Sequence, residues 1–249
     1  MRGITFPISF GAAARRDRPA ARLARIGAVL RMRAVQGSVI AALGIAPPVH
    51  ACEVALALTV DVSGSINETE YRLQMDGLAA ALADGAVAEA LVRAQAQVAV
   101  IQWSGKSRQD VTIPWTSISD FADVDALAAD VQASIRPWRH FSTAIGEVLS
   151  LAHQMFGSVD CARRVIDVSG DGRSNEGADP AVLRDQLARE GITINALAIL
   201  GASDDSLPGY FRDNVIVGPN AFVYVAAGYA DYPRAIRRKL LDELTEPVS

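Results

Sequence analysis

Five residues able to offer oxygen to a metal fall on three short segments of this chain. The first segment, Asp61-Val62-Ser63-Gly64-Ser65, follows the apolar run Val54-Ala55-Leu56-Ala57-Leu58-Thr59-Val60. It sets a carboxylate and two hydroxyls at alternate positions of a tight loop relaxed by a glycine. Short oxygen side chains so spaced can converge on a hard cation, and Mg²⁺ takes six oxygens at about 2.1 Å. The second segment runs from Arg136 to Thr143 and ends on a threonine at a predicted helix start, placed to offer its hydroxyl. The third, Ser169-Gly170-Asp171-Gly172, holds a carboxylate between two glycines at the end of another apolar run. Asp61, Ser63, Ser65, Thr143 and Asp171 are therefore candidate ligands of one divalent cation, Mg²⁺ or Mn²⁺. The competing reading makes Asp61 and Asp171 simple caps of loops or helix starts.

For three such loops to meet, the strands before them must end at one edge of a sheet. Strand-like and helix-like segments alternate along the chain, the pattern of a mostly parallel sheet covered by helices on both faces. Asn67 and Glu70 form the spacing of a capping box, and Tyr71, Met75, Leu78 and Leu82 then share one helical face. Gln97 to Trp103 and Asp110 to Trp115 read as a hairpin, with Pro114 assigning the second strand to an edge. Helices are expected over 118–134 and from Thr143 onward, and a strand over 163–169. Asp179 with Pro180 opens a further helix, Ile192 to Leu200 and Ala221 to Val225 complete six strands, and a terminal helix carries Ile236, Leu240, Leu241 and Leu244. Arg237-Arg238-Lys239 reads as the solvated face of that helix. Asp167 is out of place, because an unpaired carboxylate within a buried strand is costly. In open sheets of this kind ligands gather at the carboxyl ends of the strands where strand order reverses.

Taken together, Asp61-x-Ser63-x-Ser65, Thr143 and Asp171-Gly172 resemble, in order and spacing, the metal-ion-dependent adhesion site of von Willebrand factor type A domains. The resemblance covers nearly all of residues 53–245. The wording Val168-Ser169-Gly170-Asp171-Gly172, where many members have an apolar pair and then Thr-Asp-Gly, is similar to a group of bacterial secreted members of unknown function. It implies a Rossmann-like, doubly wound sheet of order 3-2-1-4-5-6 with one antiparallel edge strand. It also implies that Ser63, Ser65 and Thr143 bind the metal directly, with Asp61 and Asp171 acting mainly through water. Three neutral hydroxyls leave the cation electrophilic, so an Asp or Glu of a partner protein can complete its shell. Around that open position Trp138, Arg139, His140, Phe141, Arg173 and Asn175 are expected to form a mixed aromatic and basic rim.

Bulk properties agree with a binding module outside the cytosol. Half of the 249 residues are apolar, enough for one α/β core. Residues 1–51 carry eight Arg and one Asp, a balance of +7 that leaves −11 for residues 52–249. An acidic domain makes a poor nucleic-acid binder, since such affinity comes largely from neutralising phosphates. Val39 to Ala46 is a short apolar core after Arg31 and Arg33, and Val49-His50-Ala51 supplies small residues for a cut after Ala51. Residues 1–51 therefore read as a basic extension and signal peptide, with translation starting at Met32, and 52–249 as the mature domain. The apolar core is too short for a permanent span, and the mature chain is expected to have no transmembrane segment and a periplasmic or secreted location. An oxidising compartment permits a disulfide. Cys52 and Cys161 each precede a predicted strand, so a bridge forms if the two strands are parallel neighbours; the alternative is lipidation of Cys52, which His50 fits badly.

Enzymatic equipment is missing from the sequence: no phosphate-binding Gly-x-x-x-x-Gly-Lys-Ser/Thr loop, no Gly-x-Ser-x-Gly elbow, no second carboxylate two residues after Asp61. The expected function is metal-dependent protein binding without catalysis. The alternatives are an Mg²⁺-dependent hydrolase and a metal-stabilised structural subunit of an envelope complex.

Overall fold

The structure, a computed structural model, describes residues 52–201 and 205–245. The expected Met32 start and the cut after Ala51 lie outside the described residues. Strand β1 (Cys52–Asp61) is nearly all apolar and buried along its length, as a central parallel strand must be. Its alternation divides two cores: Val54, Leu56, Leu58 and Val60 enter one, while Ala55 and Ala57 enter the other. Each fully buried leucine among them contributes about 1.5–3 kcal/mol.

Beside β1 lie β2 (Gln97–Trp103) and β4 (Cys161–Gly170), both parallel to it. The sheet continues outward to β3 (Gln109–Ser117) on one side and to β5 (Ile192–Ile199) and β6 (Val223–Ala226) on the other. The order is β3-β2-β1-β4-β5-β6, with only the β2–β3 pair antiparallel. Pro114 sits in edge strand β3, where its missing N–H leaves no gap inside the sheet. Chain order reverses between β1 and β4, so the loops leaving these two strands diverge and open a crevice between them.

Helices α1 (Glu68–Leu82), α2 (Gly85–Arg93), α3 (Phe121–Ala133) and α7 (Tyr232–Thr245) pack on the larger core. Helices α4 (Ile145–Met155), α5 (Pro180–Arg189) and α6 (Leu207–Asn214) cover the other face. Asn67 does cap α1, its Oδ1 accepting from Glu70 N–H at 3.0 Å while Glu70 Oε2 accepts from Asn67 N–H at 2.8 Å. No helix among the described residues is long and apolar enough to cross a membrane.

Cys52 and Cys161 stand opposite one another in register at the start of β1 and β4, with Cα atoms 4.6 Å apart, and are joined by a disulfide. Three local expectations change. Helix α4 starts at Ile145 with Ala144 as its uncapped N-terminal residue, so the Thr143 side chain is not spent on capping. The helix expected over 118–134 begins only at Phe121, because Asp120 accepts from Ala122 and Asp123 N–H and fixes the start there. Arg237 and Arg238 face solvent, but Lys239 is fully buried. It lies 2.7 Å from Asp167 on β4 and 2.6 Å from Glu243 one turn further along α7, which supplies Asp167 with its missing partner.

Candidate metal centre

The three predicted loops meet at the crevice and brace one another through the backbone. Arg136 donates from one guanidinium nitrogen to the carbonyls of Val62 and Ser63, at 2.9 and 2.8 Å, and so holds the 61–65 loop in place. Gly64 N–H donates to Phe141 O at 2.8 Å. A Cβ on Gly64 would lie 3.1 Å from His140 Cα, so this approach needs a glycine. His140 itself has φ +67°, a left-handed backbone that histidine adopts at some cost. The third loop is tied in by Asn175, whose Oδ1 accepts from Thr143 N–H and whose N–H donates to Thr143 O, both at 2.9 Å.

Within this frame the five oxygen-bearing side chains cluster. Asp61 is fully buried; its Oδ1 accepts from Ser63 N–H at 2.8 Å, while Oδ2 is buried without a hydrogen-bond partner among the described residues. Ser63 Oγ lies 3.3 Å from Ser65 Oγ, and Ser65 Oγ donates to Asp171 Oδ1 at 2.9 Å. Thr143 is buried, and a Cβ placed on Gly172 would be 3.7 Å from its Oγ1, so its hydroxyl faces the Asp171-Gly172 turn. A Cβ on Gly170 would come within 3.1 Å of Asp61 Oδ2, which explains why β4 ends on glycine.

Electrostatically this is a poor place for two carboxylates alone. Burial, and then the charge of Asp171, push the Asp61 carboxyl up to about 7. Burial likewise raises Asp171. Among the described residues no three His, Cys, Asp or Glu side chains converge as a metal cluster, so the donor set here is two carboxylates and three hydroxyls. That all-oxygen set fits a hard divalent cation, and the unpaired Asp61 Oδ2 is the atom such an ion would satisfy.

The expected rim divides. Arg139 and His140 line a cavity of about 280 Å³ beside Gly64 and Ser65, with Arg139 paired to Glu68 at 2.9 Å. Phe141 is 41 % exposed, and Arg108 stacks 4.6 Å from its ring. Trp138 turns inward against the larger core, and Arg173 stacks on Tyr210 at 5.1 Å and bonds to Ser206. Asn175 acts as the brace just described. Two contributors escaped the sequence reading. Arg136 works on carbonyls, which leave no motif, and Tyr229, in the short 3₁₀ turn before α7, reaches the site only through tertiary placement. Burial and the charges of Asp171 and Asp61 hold its hydroxyl well above the usual range.

A six-stranded sheet of this order, with three loops converging at its switch point, is the von Willebrand factor type A fold. The chain belongs to the family described as "Protein of unknown function (DUF1194)", whose model matches residues 51–248. Solved structures share the fold at low identity. Proximal thread matrix protein 1 from the mussel byssus is 19 % identical with a TM-score of 0.59, over 78 % of this chain and 48 % of that one. A further structure of that protein, described as having a zinc-occupied metal-ion-dependent adhesion site, gives 20 %, 0.59, 78 % and 49 %. The pilus adhesin SpaC from Lactobacillus rhamnosus GG gives 14 %, 0.58, 78 % and 30 %, and a von Willebrand factor type A protein from Catenulispora acidiphila 18 %, 0.57, 78 % and 43 %. This chain thus spans half or less of the length of these relatives. No curated protein matches it.

Proposed function

We propose that residues 52–249 form a domain that binds a protein partner through a divalent cation, Mg²⁺ or Mn²⁺, held by Asp61, Ser63, Ser65, Thr143 and Asp171. The observation that carries this reading is the buried Asp61 Oδ2, unpaired, beside a second carboxylate and three hydroxyls. Bound there, the cation would supply an electrophilic position for an Asp or Glu side chain of the partner. The chain's own part is to keep the oxygens converged, and Arg136, Gly64 and Asn175 do so by fixing backbone rather than side chains. The zinc-occupied site named for the mussel protein and the adhesin role named for SpaC support the reading. The Cys52–Cys161 disulfide supports an oxidising location outside the cytosol, and residues 1–51 would be the export signal. The reading involves no catalysis.

Immobilised protein incubated with an envelope extract tests it. Capture that is present in Mg²⁺ and lost both in EDTA and in Thr143→Ala is the expected result. Capture unaffected by either change, with Mg²⁺ merely raising thermal stability, would assign the site a structural role.

A further inference from the structure

Two cavities meet at Ser65, and they differ in charge. The smaller is lined by Arg136 and His140 and by Arg139 with its ion-pair partner Glu68. The larger, about 590 Å³, runs from Ser65 and Asp171 past Glu70, Leu73 and Leu200 to Tyr229, and no Lys, Arg or His among the described residues lines it. Glu70 uses Oε2 to close the capping box of α1, which fixes its carboxylate at the cavity wall. Tyr229 is 92 % buried and lines the cavity, with its Oη beside the Asp171 carboxylate.

We infer that this cavity is a pocket for a Lys or Arg side chain of the partner, close in its sequence to the acidic residue bound at the metal. Leu73, Leu200 and the Tyr229 ring would cover the alkyl stem, and Glu70 with Tyr229 Oη would take up the charged head. Because Ser65 and Asp171 belong to both the metal centre and the cavity, a chain held at the metal already stands at the pocket's mouth. The acidic neighbour of that basic residue rests on the metal reading above, but the pocket itself does not. The lining also sets a direction: a basic neighbour of the bound acid is drawn toward Glu70 in the larger cavity rather than toward Arg136 in the smaller one.

The pocket is tested by titrating Nα-acetyl-lysine methylamide, Nα-acetyl-arginine methylamide and the norleucine analogue into the metal-free full chain, following NMR signals of Leu73, Leu200 and Tyr229. The expected result is saturable, weak binding of a basic amide that norleucine does not reproduce. It should weaken at least about fivefold in Glu70→Gln, which keeps the capping acceptor, and also in Tyr229→Phe. Absence of shifts, equal shifts with norleucine, or indifference to both substitutions would overturn the pocket. Nα-acetyl-aspartate methylamide with and without Mg²⁺ reports separately on the metal reading. If it fails to respond to Mg²⁺ while the basic amides still fill the cavity, the metal reading falls and the pocket stands.

Discussion

Asp61 carries a burden that Ser63 N–H and Arg136 relieve only in part: it is fully buried, one oxygen has no hydrogen bond among the described residues, and Asp171 adds like charge. Replacing it should therefore have opposite effects with and without metal. In EDTA at pH 8, Asp61→Asn should be more stable than the parent by about 1–3 kcal/mol in urea unfolding, because no buried charge remains. With saturating Mg²⁺ the parent should gain stability and the variant should not. Equal stability of the two proteins in EDTA would contradict the electrostatic picture. The five clustered oxygen-bearing positions were legible as candidates because Asp-x-Ser-x-Ser and Asp-Gly put oxygen atoms on neighbouring side chains. Arg136 and Tyr229 were not legible, since one acts on carbonyls and the other arrives from 58 residues beyond Asp171 (229 − 171), where no local pattern marks it.

At the scale of elements, α7 is held to the sheet by a buried charge cluster as well as by its apolar face. Lys239 faces Asp167 from β4 and Glu243 from its own helix, with Asn195 of β5 donating to Glu243 Oε1 at 3.0 Å and Arg163 of β4 donating to the Glu243 carbonyl at 3.0 Å. Two carboxylates share one ammonium, and burial pushes Glu243 up to about 7 from its ordinary 4.5. The unfolded chain releases that proton near 4.5 and the folded chain near 7, so between these values the folded state binds more protons and stability falls as pH rises. Glu243→Gln should flatten that fall, measured as unfolding free energy from pH 4.5 to 8; an unchanged slope would rule Glu243 out as its source. Lys239→Met should cost about 3–5 kcal/mol by stranding both carboxylates. On the opposite face, a Cβ on Gly146 of α4 would sit 2.2 Å from Ala178 O, so Gly146→Ala should destabilise by about 1–3 kcal/mol in the same assay. The strands were legible as apolar runs and most helices by their period. The run Arg237-Arg238-Lys239 misled because three adjacent cations look solvated, whereas helical spacing puts Lys239 beside Ile236, Leu240 and Glu243 on the inner face. Helices α2 and α6 went unpredicted because one opens on Gly85 and the other carries Pro208 and Gly209 in its first turn, residues that read as loop.

For the molecule as a whole, the disulfide ties the starts of two central strands across a sequence separation of 109, at the end of the sheet away from the candidate metal centre. Its loss in Cys52→Ser/Cys161→Ser should cost about 2–4 kcal/mol in urea unfolding while leaving metal affinity within about twofold. A large loss of affinity would mean that the two ends of β1 and β4 are coupled. The fold and the candidate metal site are separable in this sense: the sheet brings three loops together, and the loops with the last residue of β1, Asp61, carry the oxygens. The most direct test is calorimetric titration of Mg²⁺ and Mn²⁺ into the EDTA-treated full chain, with and without excess acetate standing in for a partner carboxylate, and with Asp171→Ala alongside. Saturable binding at one site that disappears in the variant is the predicted result. Absence of binding even with acetate, or binding of equal strength in Asp171→Ala, would contradict a metal centre at Asp61, Ser63, Ser65, Thr143 and Asp171.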